Sequence, residues 1–161
     1  MKIALPLKKT KKVTVSQAKK KAWTAFSLYI RTRDAIRTTG TKENCKCVTC
    51  GRVYPLKSLG GLQAGHFIAG RHNSILFDER NVHAQCYGCN VMKKGNTTEY
   101  WLFMEKEYGR PVIDELLELD KETKQFKVFE LEELETTYKQ KLNNMLSLKD
   151  EADKTIPQGK C

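Results

Sequence analysis

Two Cys-x-x-Cys pairs, Cys47-Val-Thr-Cys50 and Cys86-Tyr-Gly-Cys89, stand 35 residues apart, and they limit the fold of this chain more than any other feature. A two-residue spacer lets one tight turn present two thiolates, and two such turns supply the four soft corners that a tetrahedral zinc ion takes. Gly51 and Gly88 suit those turns. A redox dithiol would need a single motif beside a βαβ pattern, which is absent, so the cysteines read as structural zinc ligands. Cys45 lies one residue too close to Cys47 to fit a knuckle, and Cys161 reads as idle.

A zinc staple suits the composition. With 30% charged and 40% hydrophobic residues in 161, the chain has little apolar surplus for a core. Its net charge of +10 is uneven: +10 over residues 1–40, +4 over 41–110 and −4 over 111–161. A basic front half points to a polyanion, nucleic acid above all. No apolar run is long enough to cross a bilayer, and the N-terminus has no signal-peptide pattern, so a reducing cytoplasm and no membrane partner are expected.

The periodicities predict an α+β protein with five parts. Residues 1–15 form a basic arm, and 16–40 an N-terminal helix capped by Ser16, ended by Gly40 and burying Trp23 and Phe26 in the core. Residues 41–109, rich in glycine, form a zinc-stapled core of short strands that ends in a helix capped at Asn96 or Thr97 and stopped by Gly109. C-terminal helices fill 110–147, the first opened by Pro111, and 148–161 is a tail. The helix over 130–146 carries a seam of Leu131, Leu134, Tyr138, Leu142 and Met145 that packs on the protein's own core or on a second copy as a homodimer.

All three histidines lie between the knuckles. The runs Ala64-Gly65-His66-Phe67 and Asn81-Val82-His83-Ala84-Gln85, with Asn90 directly after the last cysteine, resemble the HNH endonucleases. Within that group, AWTAFSLYIRTRDAIRTTG, AGHF, FDERNVHAQCYGCN and LEELETTYKQKL are similar to the lambdoid-phage NinG (Rap) recombination proteins, across roughly residues 20–145. The resemblance implies a ββα-metal core and a metal-dependent endonuclease acting on branched DNA such as Holliday junctions and D-loops. Such a protein is encoded by a phage or prophage and works in the bacterial cytoplasm. His66 becomes the general base at the end of a strand, Asn81 the residue holding the active-site loop, and Asn90 a ligand of a catalytic Mg²⁺ or Mn²⁺. A second strand over 82–86 and a helix from near Asn90 complete that picture.

One position departs from the pattern. The family usually has Asp or His before the catalytic histidine, where this chain has Gly65. Alternation along 82–86 puts His83 and Gln85 on one face, which makes His83 the substitute ligand, with Asp78 second. Phosphate contacts fall to Lys8, Lys9, Lys11, Lys12, Arg31, Arg33, Arg37, Arg71, His72, Lys93 and Lys94, with Arg52 and Lys57 on charge alone. The missing ligand also keeps open a different protein: a zinc-stapled DNA-binding recombination accessory that does not cut.

Overall fold

The computed structural model describes residues 12–56 and 61–155. Lys8, Lys9, Lys11 and Lys57 lie outside them. The elements run α1 (Val15–Thr39), β1 (Asn44–Lys46), β2 (Val53–Pro55), β3 (Gln63–His66), β4 (Val82–Gln85), a π-helical turn (Gly88–Met92), α2 (Thr97–Tyr108), α3 (Arg110–Asp120) and α4 (Val128–Thr155). Two antiparallel hairpins, β1–β2 and β3–β4, make the β content, and the mixed α+β class agrees with expectation.

Helix α1 is capped two residues earlier than Ser16. Thr14 is the N-cap: its hydroxyl accepts from Gln17 N, and the Gln17 side chain accepts from Thr14 N, a reciprocal capping box. At the other end Gly40 adopts φ 70°, which closes the helix at no steric cost. Gly109 stops α2, and Pro111 sits in the first turn of α3.

One face of α1 buries Phe26, Tyr29 and Ile30 against Val82 of β4 and Tyr138 of α4. The Phe26 and Tyr138 rings meet edge-on at 4.7 Å. The α4 seam therefore lies inside the chain: Leu134, Tyr138, Leu142 and Met145 pack with α1, and Leu131 with Ala18, Ala22 and Phe126. The surface assigned to a homodimer contact is thus covered by the chain's own first helix. Residues 148–155, expected as tail, continue α4, helped by ion pairs of Lys149 with Asp153 and of Asp150 with Lys42.

The other face of the β3–β4 hairpin meets α2 and α3, where Ile75, Tyr100, Met104, Ile113 and Leu116 form a separate buried cluster. A buried ion pair pins the hairpin to α1. Asp34 is 5% exposed; its Oδ2 accepts from Ala84 N at 2.6 Å and its Oδ1 from Arg33 Nε at 2.8 Å. Burial pushes the Asp34 carboxyl up, while Arg33 and the Ala84 N–H pull it back toward the charged form. Arg33 then donates to the carbonyls of Glu79 and Val82, each at 3.0 Å. Its guanidinium is spent inside the protein, which corrects its assignment to DNA phosphate.

Asp34→Ala should destabilise the protein by about 3–5 kcal/mol, because it leaves the Arg33 charge and the Ala84 N–H buried without a partner. Denaturant unfolding measures this, and a loss under about 1 kcal/mol, the size of an ordinary surface pair, would show that the pin is not structural.

Candidate active site and metal centre

The knuckles are built from backbone turns. Cys47 N donates to Arg52 O at 2.8 Å, and Gly51, at φ 71°, donates to Cys47 O. After β4, Cys89 N and Asn90 N both donate to Cys86 O. These turns bring the Sγ atoms of Cys47, Cys50, Cys86 and Cys89 within 4.8 Å of one another. Sulfurs held about 2.3 Å from a tetrahedral ion would stand about 3.8 Å apart. Cys50 and Cys86 are 3.9 Å apart. The four cysteines therefore fit one metal ion such as zinc. Cys86 N and the Thr49 hydroxyl lie 3.3 and 3.5 Å from Cys47 Sγ, polar neighbours of the kind that steady a thiolate ligand. Cys45 is fully buried outside this cluster, and burial pushes its thiol up to about 12.

His66 ends β3 and stacks on Trp23 of α1, the ring centroids 5.0 Å apart and the planes at 15°. Trp23, expected as core, is only half-buried; its stacking partners are His66 and, 4.4 Å from its ring centroid, the Arg71 guanidinium. Burial holds the His66 imidazole down at about 4, with Arg71 adding a little and the Leu76 carbonyl opposing. Its Nε2 faces Leu76 O at 3.4 Å. A carbonyl only accepts, so the neutral ring carries its proton on Nε2 and leaves the Nδ1 lone pair free. His66, Trp23, Arg71, Asn90 and Lys94 line one surface cavity.

Asn81 is fully buried and ties the two ends of the loop between β3 and β4. Its Oδ1 accepts from Ile68 N at 2.9 Å, and its own carbonyl accepts from Phe67 N at 2.8 Å. Asn90 sits in the π-helical turn and donates through Nδ2 to Gln63 Oε1 at 2.6 Å, which leaves its Oδ1 free.

His83 does not take the role assigned to it. Its alternation with Gln85 was read correctly, but their face is covered by α2. Tyr100 donates to Gly65 O at 2.9 Å, so His83 Nδ1–H donates to the Tyr100 oxygen at 3.1 Å and His83 Nε2 accepts from Tyr108 at 2.9 Å. Both ring nitrogens are occupied, the residue is 1% exposed, and burial drives its imidazole well below the usual range. It is a core histidine. Asp78 is taken as well, by Arg80 at 2.7 Å.

The basic candidates divide in the same way. Arg37 pairs with Glu107 at 2.7 Å, and His72 pairs with Asp120 at 2.7 Å. Arg31 is half-buried and donates to Ser27 O and, at 3.4 Å, to Leu62 O. Lys12, Arg71, Lys93 and Lys94 are exposed. Arg71 and Lys94 adopt φ 55° and 48°, an uncommon backbone for such residues, and both border the His66 cavity. Tyr100 and Tyr108 were missed in the sequence, since only the packing of α2 on the hairpin brings them to His83.

The fold and its sites define a small α+β protein with a four-cysteine metal centre beside a histidine–asparagine cavity. The profile of the NinG family, described as Bacteriophage Lambda NinG protein, matches residues 2–148, and the chain belongs to that family. It is 29% identical over 134 residues to protein ninG of Salmonella phage P22, and 28% identical to protein ninG of Escherichia phage lambda. These alignments cover 83% of the chain but 60% and 59% of the two relatives, so the chain spans about three fifths of their length. No solved structure matches. Among the described residues no helix is long and apolar enough to cross a membrane.

Two outcomes follow from this geometry. Metal analysis of purified protein should find about one tightly held ion per chain, and Cys86→Ser should lose both ion and fold; folded protein without metal would contradict this. Imidazole NMR should show His66 and His83 still neutral at pH 5.5, since both have lowered pKa values. The unfolded chain then binds more protons than the folded one, and stability falls as pH drops from about 6.5 toward 4. A His66 that titrates near 6.5 would mean the Trp23 stack does not exclude water.

Proposed function

We propose that this chain is a metal-dependent endonuclease of the HNH type that hydrolyses phosphodiester bonds in DNA, with branched recombination intermediates such as Holliday junctions and D-loops as its substrates. One observation carries this reading: a neutral His66 with a free Nδ1 lies in the same cavity as Asn90, and that cavity is rimmed by Arg71 and Lys94. The order of β3, β4 and the helical turn bearing Asn90 supports the ββα-metal reading of the core.

In this mechanism His66 Nδ1 takes a proton from a water molecule as its oxygen bonds to phosphorus. One ester P–O bond breaks, and the departing oxygen takes up a proton from solvent water, while His66 later returns its own to solvent. Arg71 and Lys94 offset charge on the phosphate. Asn81 holds the loop behind His66. Asn90 fits a divalent ion: its amide is turned by Gln63 so that a neutral, hard oxygen points outward, the kind of donor Mg²⁺ or Mn²⁺ accepts. When bound, that ion supplies charge neutralisation at the phosphate and the departing oxygen. The four cysteines hold a structural zinc.

The second reading, a DNA-binding accessory that does not cut, is favoured by one feature: among the described residues no carboxylate lines the His66 cavity. Incubating purified protein with a four-way junction and a matched duplex, with and without Mg²⁺ or Mn²⁺, separates the two. Wild type should cut the junction only with metal. His66→Ala should lose on the order of 10²–10⁴-fold in rate while junction binding and zinc content stay unchanged. Asn90→Ala should raise the metal concentration needed. Absence of metal-dependent cutting in wild type would leave the binding module.

A further inference from the structure

We infer that Gln85 supplies an oxygen ligand to the divalent ion of the proposed active site, filling the place that Gly65 leaves open; the inference rests on the nuclease reading above. Gln85 is fully buried at the end of β4. Its Nε2 donates to Gly95 O at 2.6 Å and to the Thr49 hydroxyl at 3.2 Å. Gly95 O can only accept, so the amide is fixed with its nitrogen on that side. The opposite atom, Oε1, is buried and has no hydrogen-bond partner. A buried acceptor left in this state is uncommon and calls for an ion, a water or a function.

That orphaned oxygen is aimed at Gly65. A Cβ added to Gly65 would sit 2.4 Å from Gln85 Oε1 and 3.1 Å from Asn90 Oδ1. Two carboxamide oxygens thus lie close together on the side of Gly65 where a longer residue would carry its side chain. Gly95 sets the orientation of Gln85 from behind, and in this arrangement Asn90 gives its amide nitrogen to Gln63. Register explains how β4 reaches this point: Gly65 pairs with His83, so Gln85 emerges on the same face of the hairpin two residues along. A scaffold role for Gln85 would need only its Nε2; the aim of Oε1 toward Asn90 is what a ligand adds. The same contact explains why an Asp at position 65 cannot simply be restored, since its Cβ would collide with Gln85 Oε1.

Both oxygens are neutral and hard, so the ion they hold is Mg²⁺ or Mn²⁺. With no carboxylate among them, much of the ion's charge is left for a DNA phosphate to balance. Ion binding without DNA is therefore weak, and DNA tightens it.

The test uses zinc-loaded full-length protein and the metal alone. Mg²⁺ is titrated into wild type while the side-chain carboxamide carbons of Gln85, Asn90 and Gln63 are followed by NMR. Gln85 and Asn90 should shift together with one midpoint, and by more than Gln63. In parallel, electron paramagnetic resonance of free Mn²⁺ should show Gln85→Met binding at least tenfold more weakly than wild type. A Gln85 carbon that stays still while Asn90 shifts, or a folded Gln85→Met that binds Mn²⁺ within twofold of wild type, overturns the inference. The NMR arm needs no variant, so misfolding of Gln85→Met leaves the test decisive. Failure of the nuclease reading would show separately, as wild type that cuts no junction at any metal concentration.

Discussion

The structure depends on the tie between the two cysteine knuckles. One turn lies between β1 and β2 and the other follows β4, and an ion on the four thiols would close the 35 intervening residues into a loop. Structural zinc contributes about 10–16 kcal/mol in small zinc-binding peptides. That equals or exceeds the whole stability of an ordinary domain, about 5–15 kcal/mol. The hydrogen bonds beside it, Val48 N to Ala84 O at 2.9 Å and Cys86 N to Cys47 Sγ at 3.3 Å, add β4 directly to the first knuckle. The tie therefore sets the position of β4, and β4 sets everything paired with it.

From there the site is assembled by nested contacts. Among the described residues β3 pairs with β4 alone; His66 closes that strand, and Asn90 of the following turn reaches back to Gln63 at its start. The Arg33–Asp34 pair fixes β4 to α1, which brings Trp23 against His66. On the opposite face the relay from Tyr108 through His83 and Tyr100 to the Gly65 carbonyl fixes β3 to α2. Each of these buried polar groups is satisfied, which gives the hairpin one register rather than several. Gln85 Oε1, beside Gly65, is left without a partner, as is Ser74 Oγ.

What the sequence could disclose was local. The cysteine spacing, the stops at Gly40 and Gly109, Pro111 at the start of α3 and the three- and four-residue seam of α4 are short-range signals, and each marks a real feature of the structure. The capping box Thr14-x-x-Gln17, a hydroxyl followed three residues on by a glutamine, is a signal of the same short range. Contacts between distant elements were not legible. Alternation placed His83 and Gln85 on one face, yet nothing nearby in sequence tells that α2 covers that face with two tyrosines. Arg33 and Arg37 look like any basic helix surface until Asp34, the Val82 carbonyl and Glu107 are placed against them. Trp23 fits a helical core stripe by spacing, and only the return of β3 reveals that it backs a histidine.

The metal tie is expected to hold His66 in its neutral, partly buried setting against Trp23. Stripping the metal with a chelator and following the His66 imidazole by NMR as pH is lowered tests it most directly. His66 of the metal-free protein should titrate near the ordinary value of about 6.5, as its stack on Trp23 is released with β4. A His66 that stays neutral to pH 5.5 without the metal would contradict it.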